Sequence, residues 1–516
     1  MKNIENLEGF WWLPSEPELK VAGILKFTKS EGIKLQLIGS FLNFYTAGKI
    51  PTNIPIILGV VHKKIITLCN SINSNSRRSD PGFASQEYIS QLALIGRHFT
   101  NPNELLFNKA TVQYSYLSDW ADLPLIKREP DLIDLDWNKE RELRFTYTVP
   151  EDIEAKTTYG KFSVIYGCSE AGKRESIDLK QFISLMIQPN EELSFKDFCS
   201  KFIHPLNNFI TFATDRANSI TKLELYSYYG DLDLDIVNTG YTIDQIPIQA
   251  FYKNYYPDRK EQNQFLFKYE MLFEMLFSLS DIKSDFSLIM QRWFDSVEKL
   301  DSVVNLFFSI KYKPDIYLEN KFLNLVQALE SYHRRQIKNH ILPEDEHKER
   351  IERILDSVTS EYKEWLKDKL NYSNEPTLKE RLIELLELIP EITNQLIKDK
   401  EGFATKVKNA RNYFTHYNKS LKKKVPQPEE LSWFIELLSF ILQACILKEL
   451  GCTSERCHQL LNRNKRYKNA LERSIEPKTD MGKKLREIRL QIPSERKLLN
   501  KDEIEEEIAE GRRERQ

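Results

Sequence analysis

The sequence predicts an α+β protein of several domains: a β-rich first half, sandwich- or barrel-like with added helices, and then an all-α helical bundle. Three observations carry that prediction. Short runs rich in β-branched and aromatic residues recur to about residue 255, with turn residues between them. From about residue 264 the apolar residues recur at a helical period instead. A chain of 516 residues also exceeds the roughly 250–300 over which one hydrophobic core keeps growing. The expected divisions are a β-rich domain at 1–155, an α+β extension at 156–260, a helical domain at 261–475 and a charged tail at 476–516.

In chain order, "GFWWLP" (9–14) reads as a core anchor at a domain edge, through Trp11 and Trp12, rather than as an exposed ligand platform. "VAGILKF" and "IKLQLIG" are joined by "TKSEG", which ends in Gly32, a hairpin pattern. "IPIILGVV", "KIITLCN", "EYISQLALIG", "ATVQYSYL", "LRFTYTV" and "KFSVIYG" are further strands. "FKDFCSKFIHPLNNFITFA" (195–213) is helical, and the strand-like "ITKLELYSY" follows it. Helical stripes then run through "FLFKYEMLFEMLFSL", "FDSVEKLDSVVNLFFSI", "ENKFLNLVQALESYHRRQ" and "LKERLIELLELI". Thr377 and Glu380 form a capping-box pattern opening the last of these. Pro428, Glu429 and Glu430 mark the start of "LSWFIELLSFILQACIL". That run is interrupted by Glu436, Ser439 and Gln443 and reads as a buried bundle helix rather than a membrane span. The end, "KLLNKDEIEEEIAEGRRERQ", offers few core candidates and reads as a solvated helix or disordered tail.

A net charge of −2 gives no global pull on nucleic acid, so any contact with RNA has to come from local basic patches. Six scattered cysteines suggest no disulfide framework. The opening "MKNIENLEGF" lacks a basic stretch followed by an apolar one. A reducing, cytoplasmic location with no membrane partner is therefore expected.

Several site chemistries are weighed and set aside. There is no phosphate-binding glycine loop, and "EAGKRES" (170–176) lacks the glycine five residues before its Gly-Lys pair. "GDLDLDIV" puts Asp231, Asp233 and Asp235 on one strand face, but Ile236 and Thr242 stand where a calcium loop needs Gly and Glu. Cys445, Cys452, Cys457 and His458 match no zinc spacing. No metal or cofactor is expected.

"ARNYFTHYN" (410–418) remains. Arg411 and His416 have four residues between them, a spacing that 26 arginines and 8 histidines produce by chance. Indeed, "RRQIKNH" sets Arg334 and Arg335 before His340 in the same way. Context separates the two. Phe403, Val407, Ala410, Phe414 and Tyr417 recur at helical spacing, with Arg411 at the edge of that stripe. A guanidinium so placed needs an anionic partner. His416 lies about 140° around an ideal helix from Arg411, so the arginine must reach or the helix must end near the motif. On another helix, Glu330 stands at the margin of the stripe Phe322, Leu325, Val326 and Leu329. It would orient Arg411 if the two helices are neighbours.

"ALESYHRR" followed at a distance by "ARNYFTHYN" resembles the ApeA-like branch of the HEPN superfamily. These are helical bundles with an Arg-x4–6-His motif whose Arg is usually followed by a polar residue, here Asn412. "LEGFWWLPSEPELKVAGILKFTKSEGIKLQLIGSF" (7–41) is similar to the opening of the ApeA N-terminal domain. The resemblance implies a metal-independent endoribonuclease of antiphage defence by abortive infection. It makes Arg411 and His416 the catalytic pair, Asn412 the motif's polar neighbour and Glu330 the helix acid. It also implies a homodimer that brings two motifs together. Lys419, Lys422, Lys423 and Lys424 after the motif, and Arg463 and Arg466 further on, are candidate RNA contacts. The trigger would be phage-derived and sensed by the β-rich half. Two other readings stand beside this one: a non-catalytic binding or dimerisation module, and a phage sensor acting through a partner.

Overall fold

The computed structural model describes residues 4–474, apart from 29–31, 42–51, 80–82, 123–125, 129–144, 174–175, 233–244, 253–273, 338 and 418. Six strands open the chain: β1 (Ile4–Leu13), β2 (Glu16–Thr28), β3 (Gly32–Ile38), β4 (Asn53–Val61), β5 (Lys64–Ser79) and β6 (Phe83–Ile95). The expected hairpin is present, with Thr28 opposite Gly32. His62 and Lys63 both take positive φ between β4 and β5, the geometry of the tightest antiparallel turn.

β5 pairs with β6, so the order β6-β3-β2-β1-β4-β5 closes on itself as a six-stranded barrel. Trp11 fills its interior with Leu35, Leu37, Ile57, Leu68 and Tyr88, all buried. Its ring lies flat against Gly59, where any Cβ would collide with it. Both Trp11 and Trp12 are buried, so the pair anchors the core.

β6 is the branch point. One edge pairs first with β3 through residues 85–90 and then with Ile248–Tyr252 through residues 92–95. From that strand an open antiparallel sheet runs outward through Ile220–Tyr226, Lys109–Tyr114, Ser176–Pro189, Gly160–Lys173 and Ile153–Thr157. The strand Ile153–Thr157 crosses residue 155. Within "EAGKRES", Glu170–Lys173 end the strand Gly160–Lys173 and Ser176 opens its antiparallel partner Ser176–Pro189. The run "ATVQYSYL" is strand only to Tyr114, and Leu117–Ala121 is a short helix.

Helix α1 (His204–Thr214) packs on the open sheet, and the bundle packs on α1 in turn. The bundle comprises α2 (Phe286–Lys299), α3 (Asp301–Tyr312), α4 (Leu318–Gln336), α5 (Glu344–Asp356), α6 (Ser360–Leu370), α7 (Leu378–Leu388), α8 (Pro390–Leu396), α9 (Lys400–His416), α10 (Pro428–Glu449), α11 (Ser454–Leu461) and α12 (Lys465–Ser474). One apolar core runs without a break from Val112 and Phe162 of the sheet through Phe209, Trp293 and Phe307 to Leu329 and Leu438. Phe162 stacks on Phe294 at 4.9 Å between ring centres. The α10 helix is apolar enough to span a membrane, but it is buried in the bundle.

Two helical expectations are corrected. In "FLFKYEMLFEMLFSL", residues 265–273 lie outside the described set, and Glu274–Phe277 are not helical. The Leu276 and Phe277 N–H groups donate to the Ala213 carbonyl, and a Ser278/Asp281 capping box delays the helix to Leu279. "FDSVEKLDSVVNLFFSI" breaks at Leu300 into α2 and α3. The charged tail lies outside the described residues.

Candidate active site

The α9 helix starts where the Asp399 carboxylate accepts the Gly402 N–H at 2.8 Å. Phe403, Ala404, Val407 and Ala410 turn inward. The helix stops at His416 because Tyr417 takes a left-handed conformation, φ 49° and ψ 36°. The apolar spacing places Tyr417 on the core-facing stripe, but the residue is 67 % exposed, since the helical period ends one residue before it.

Arg411 sits at the stripe's edge with its side chain 36 % exposed, and its guanidinium lies 3.6 Å from Glu330 Oε2 on α4. The two helices are therefore neighbours, and the acid and the arginine meet. Arg411 Nη1 also donates to Asn412 Oδ1 at 3.3 Å. His416 is exposed at the open end of α9, and its ring makes no hydrogen bond among the described residues.

Behind Glu330 is a relay that sequence reasoning missed. Arg334, one turn along α4, lies 3.5 Å from Glu330 Oε1 and 2.9 Å from Glu375 Oε2. Arg381 donates to the same Glu375 oxygen at 3.0 Å and, through Nη1, to His333 Nδ1 at 3.0 Å. His333 Nε2 then meets Glu384 at 2.6 Å. This pattern requires the neutral imidazole with its proton on Nε2. Burial pushes the His333 pKa down, outweighing the pull of Glu384. His333 is 0 % and Arg381 1 % exposed. Arg381 three residues after Leu378 and four before Leu385, a cation on an apolar stripe, was the signal in the sequence.

The remaining candidates fall in different places. In the decoy, Arg335 donates to the Lys299 carbonyl at 2.7 Å and is paired with Asp301, while His340 lies exposed beyond the end of α4. Lys422 and Lys423 are exposed on the 3-10 segment Lys419–Lys424 after the motif; the Lys419 and Lys424 side chains lie outside the described set. Arg463 is paired with Asp281, and Arg466 lies 3.0 Å from the buried Asp215; both arginine side chains remain exposed. Asp231 belongs to a two-residue strand, and Asp233 and Asp235 are outside the described residues. Cys445, Cys452 and Cys457 are buried, while the His458 ring faces Tyr467 and Gln395.

The family model for ApeA N-terminal domain 1 matches residues 6–293, and that for the Apea-like HEPN domain matches residues 323–456. The first match alone covers more than half of the chain, and this chain belongs to the ApeA-like HEPN antiphage proteins. The second match contains α9 and the Glu330 end of α4. No curated protein and no solved structure matches the chain.

Proposed function

We propose that the chain is a metal-independent endoribonuclease that cuts RNA in antiphage defence. The observation that carries this reading is the meeting of Arg411 with Glu330, with His416 exposed at the same helix end and without a hydrogen-bond partner among the described residues. Without a metal, RNA is cut when its own 2′-hydroxyl attacks the adjacent phosphorus. That proton must leave and the departing 5′ oxygen must gain one. An imidazole performs either transfer near neutral pH, typically worth about 10²–10⁴ in rate. The transition state gathers charge on the nonbridging oxygens, which the planar donor fork of Arg411 fits.

Glu330 and Asn412 hold that fork, and Lys422 and Lys423 supply charge for flanking phosphates. Arg463 and Arg466, each paired with a carboxylate but with side chains about half in solvent, are secondary candidates for the same role. One His416 per chain serves one proton transfer, so a second copy of the chain supplies the other. The β-rich half is the place for a phage-derived trigger to act.

The test is RNA cleavage in EDTA by wild type and His416→Ala, with both proteins sized and product ends assayed for 2′,3′-cyclic phosphate. Cleavage by wild type alone supports the reading, and equal cleavage by both removes His416 from the chemistry. Silence from both, maintained with phage lysate added, favours the non-catalytic module.

A further inference from the structure

We propose that Tyr417, braced by Tyr413, is a stacking ledge for an unpaired RNA base beside the reactive pair. This rests on the ribonuclease reading of the same site. Backbone conformation comes first. Tyr417 occupies the position after a helix end where the left-handed conformation strongly favours glycine. Among the described residues, the other non-glycine positions with positive φ are Asn, Asp, His or Lys, and Tyr417 is the one Phe, Tyr or Trp.

The ring recovers little for the fold in return beyond one edge-on contact with Tyr413. It is 67 % exposed, and its hydroxyl makes no hydrogen bond among the described residues. The backbone bond that closes the helix, Tyr417 N–H to the Tyr413 carbonyl, needs no side chain at all. A residue that strains the backbone and leaves its aromatic face to solvent is costly unless something uses that face.

The ring is nevertheless held in place. Tyr413 lies 5.6 Å from Tyr417 edge-on, Phe414 lies 5.5 Å from Tyr413, and Phe322 of α4 lies 5.9 Å from Phe414. A column of aromatic rings thus runs from the bundle core to a free face directly after His416. Exposed cations follow at Lys422 and Lys423. An aromatic face beside cations is what a single strand recognises, because each unpaired base offers a π-face and each linkage a phosphate. In a duplex those faces are already stacked on one another. Such a ledge is indifferent to base identity.

The test titrates full-length wild type, Tyr417→Phe and Tyr417→Gly into a short, non-cleavable 2′-O-methyl single strand carrying 2-aminopurine. Fluorescence quenching reports stacking. Tyr417→Gly is expected to raise Kd about tenfold or more and to lose the quench. Tyr417→Phe should keep both, and the matched duplex should not distinguish the proteins. The melting temperature of Tyr417→Gly should be no lower than that of wild type, so lost binding cannot be misfolding. A wild type that cleaves RNA while Tyr417→Gly binds the strand equally well overturns the ledge and leaves the ribonuclease reading standing. A wild type that neither cleaves nor binds overturns both. A change in assembly size confined to Tyr417→Gly assigns the ring to contact between copies and also overturns the ledge.

Discussion

Two charge clusters in this molecule use the same residue types and end in opposite states. At the seam between the β-rich half and the bundle, Asp215 is 4 % exposed at the end of α1. It receives Lys311 from α3, Arg466 at 3.0 Å from α12 and Gln443 at 2.7 Å from α10. Four elements meet on one carboxylate, which is almost wholly buried although Arg466 itself keeps nearly half of its side chain in solvent. At the end of α9, Glu330 is likewise shared, by Arg411 and Arg334, but the carboxylate side chain itself is 21 % exposed. The first cluster is closed around its carboxylate and joins parts of the fold. The second is backed by a buried relay and open in front, where a phosphate can compete for the arginines. Composition does not separate the two clusters; the exposure of the shared carboxylate does.

The sharpest way to break that contrast is to remove each cluster's centre. Asp215→Ala leaves the largely buried Lys311 without its partner, and should cost about 3–5 kcal/mol of stability, seen as a large drop in the denaturant midpoint. The same carboxylate sets an acid limit. Burial alone would push its pKa up, but Lys311 and Arg466 override burial and hold it below its usual value. Its contribution is therefore complete above the ordinary carboxylate range and lost as pH falls through the lowered value. Asp215→Asn should flatten the acid limb of the stability–pH curve. A midpoint unmoved in Asp215→Ala would mean that the seam is not held by charge. At the open cluster the outcome should invert. His416→Ala should lose about 10²–10⁴ in cleavage rate with an unchanged melting temperature. A fall in stability matching the fall in rate would make His416 a structural residue.

How much of this was legible follows from the range of the interactions. Hairpins, caps and stripes are local, so the Gly32 turn, the Thr377/Glu380 capping box and the Arg411 position on its stripe are all visible in the sequence. Closure of the barrel depends on β5 meeting β6 while β6 also serves β3 and a strand at residue 248, pairings that no local pattern encodes. The same limit applies to the site. Glu330 stood out because an acid at the margin of an apolar stripe needs a partner. His333 did not, because its partners Arg381 and Glu384 come from a helix that only folding brings alongside. Tyr417 misled for the opposite reason: its spacing continued a helix that its own backbone terminates.

A smaller effect tests whether the open cluster acts through position. Glu330→Gln keeps the size of the side chain but loosens Arg411, and should lower cleavage about 10- to 100-fold. In an Arg411→Ala background the same change should add little, because its route to the chemistry has gone. Additive losses in the double variant would give Glu330 a role of its own and detach it from Arg411.

The smallest effect concerns the lysines beyond the motif, and it separates attraction from reaction. Lys422 and Lys423 are exposed, so replacing either with alanine should leave the melting temperature alone. Each phosphate deprived of its lysine takes about 0.7 off the slope of log affinity against log salt for a single strand. Wild type and the two variants should therefore differ several-fold in RNA affinity at low salt and converge as salt rises, with cleavage at saturating RNA unchanged. Parallel salt plots would show that neither lysine touches phosphate. A fall in cleavage at saturation would draw the lysines into the reactive centre and erase the distinction between the groups that gather the strand and the pair that cuts it.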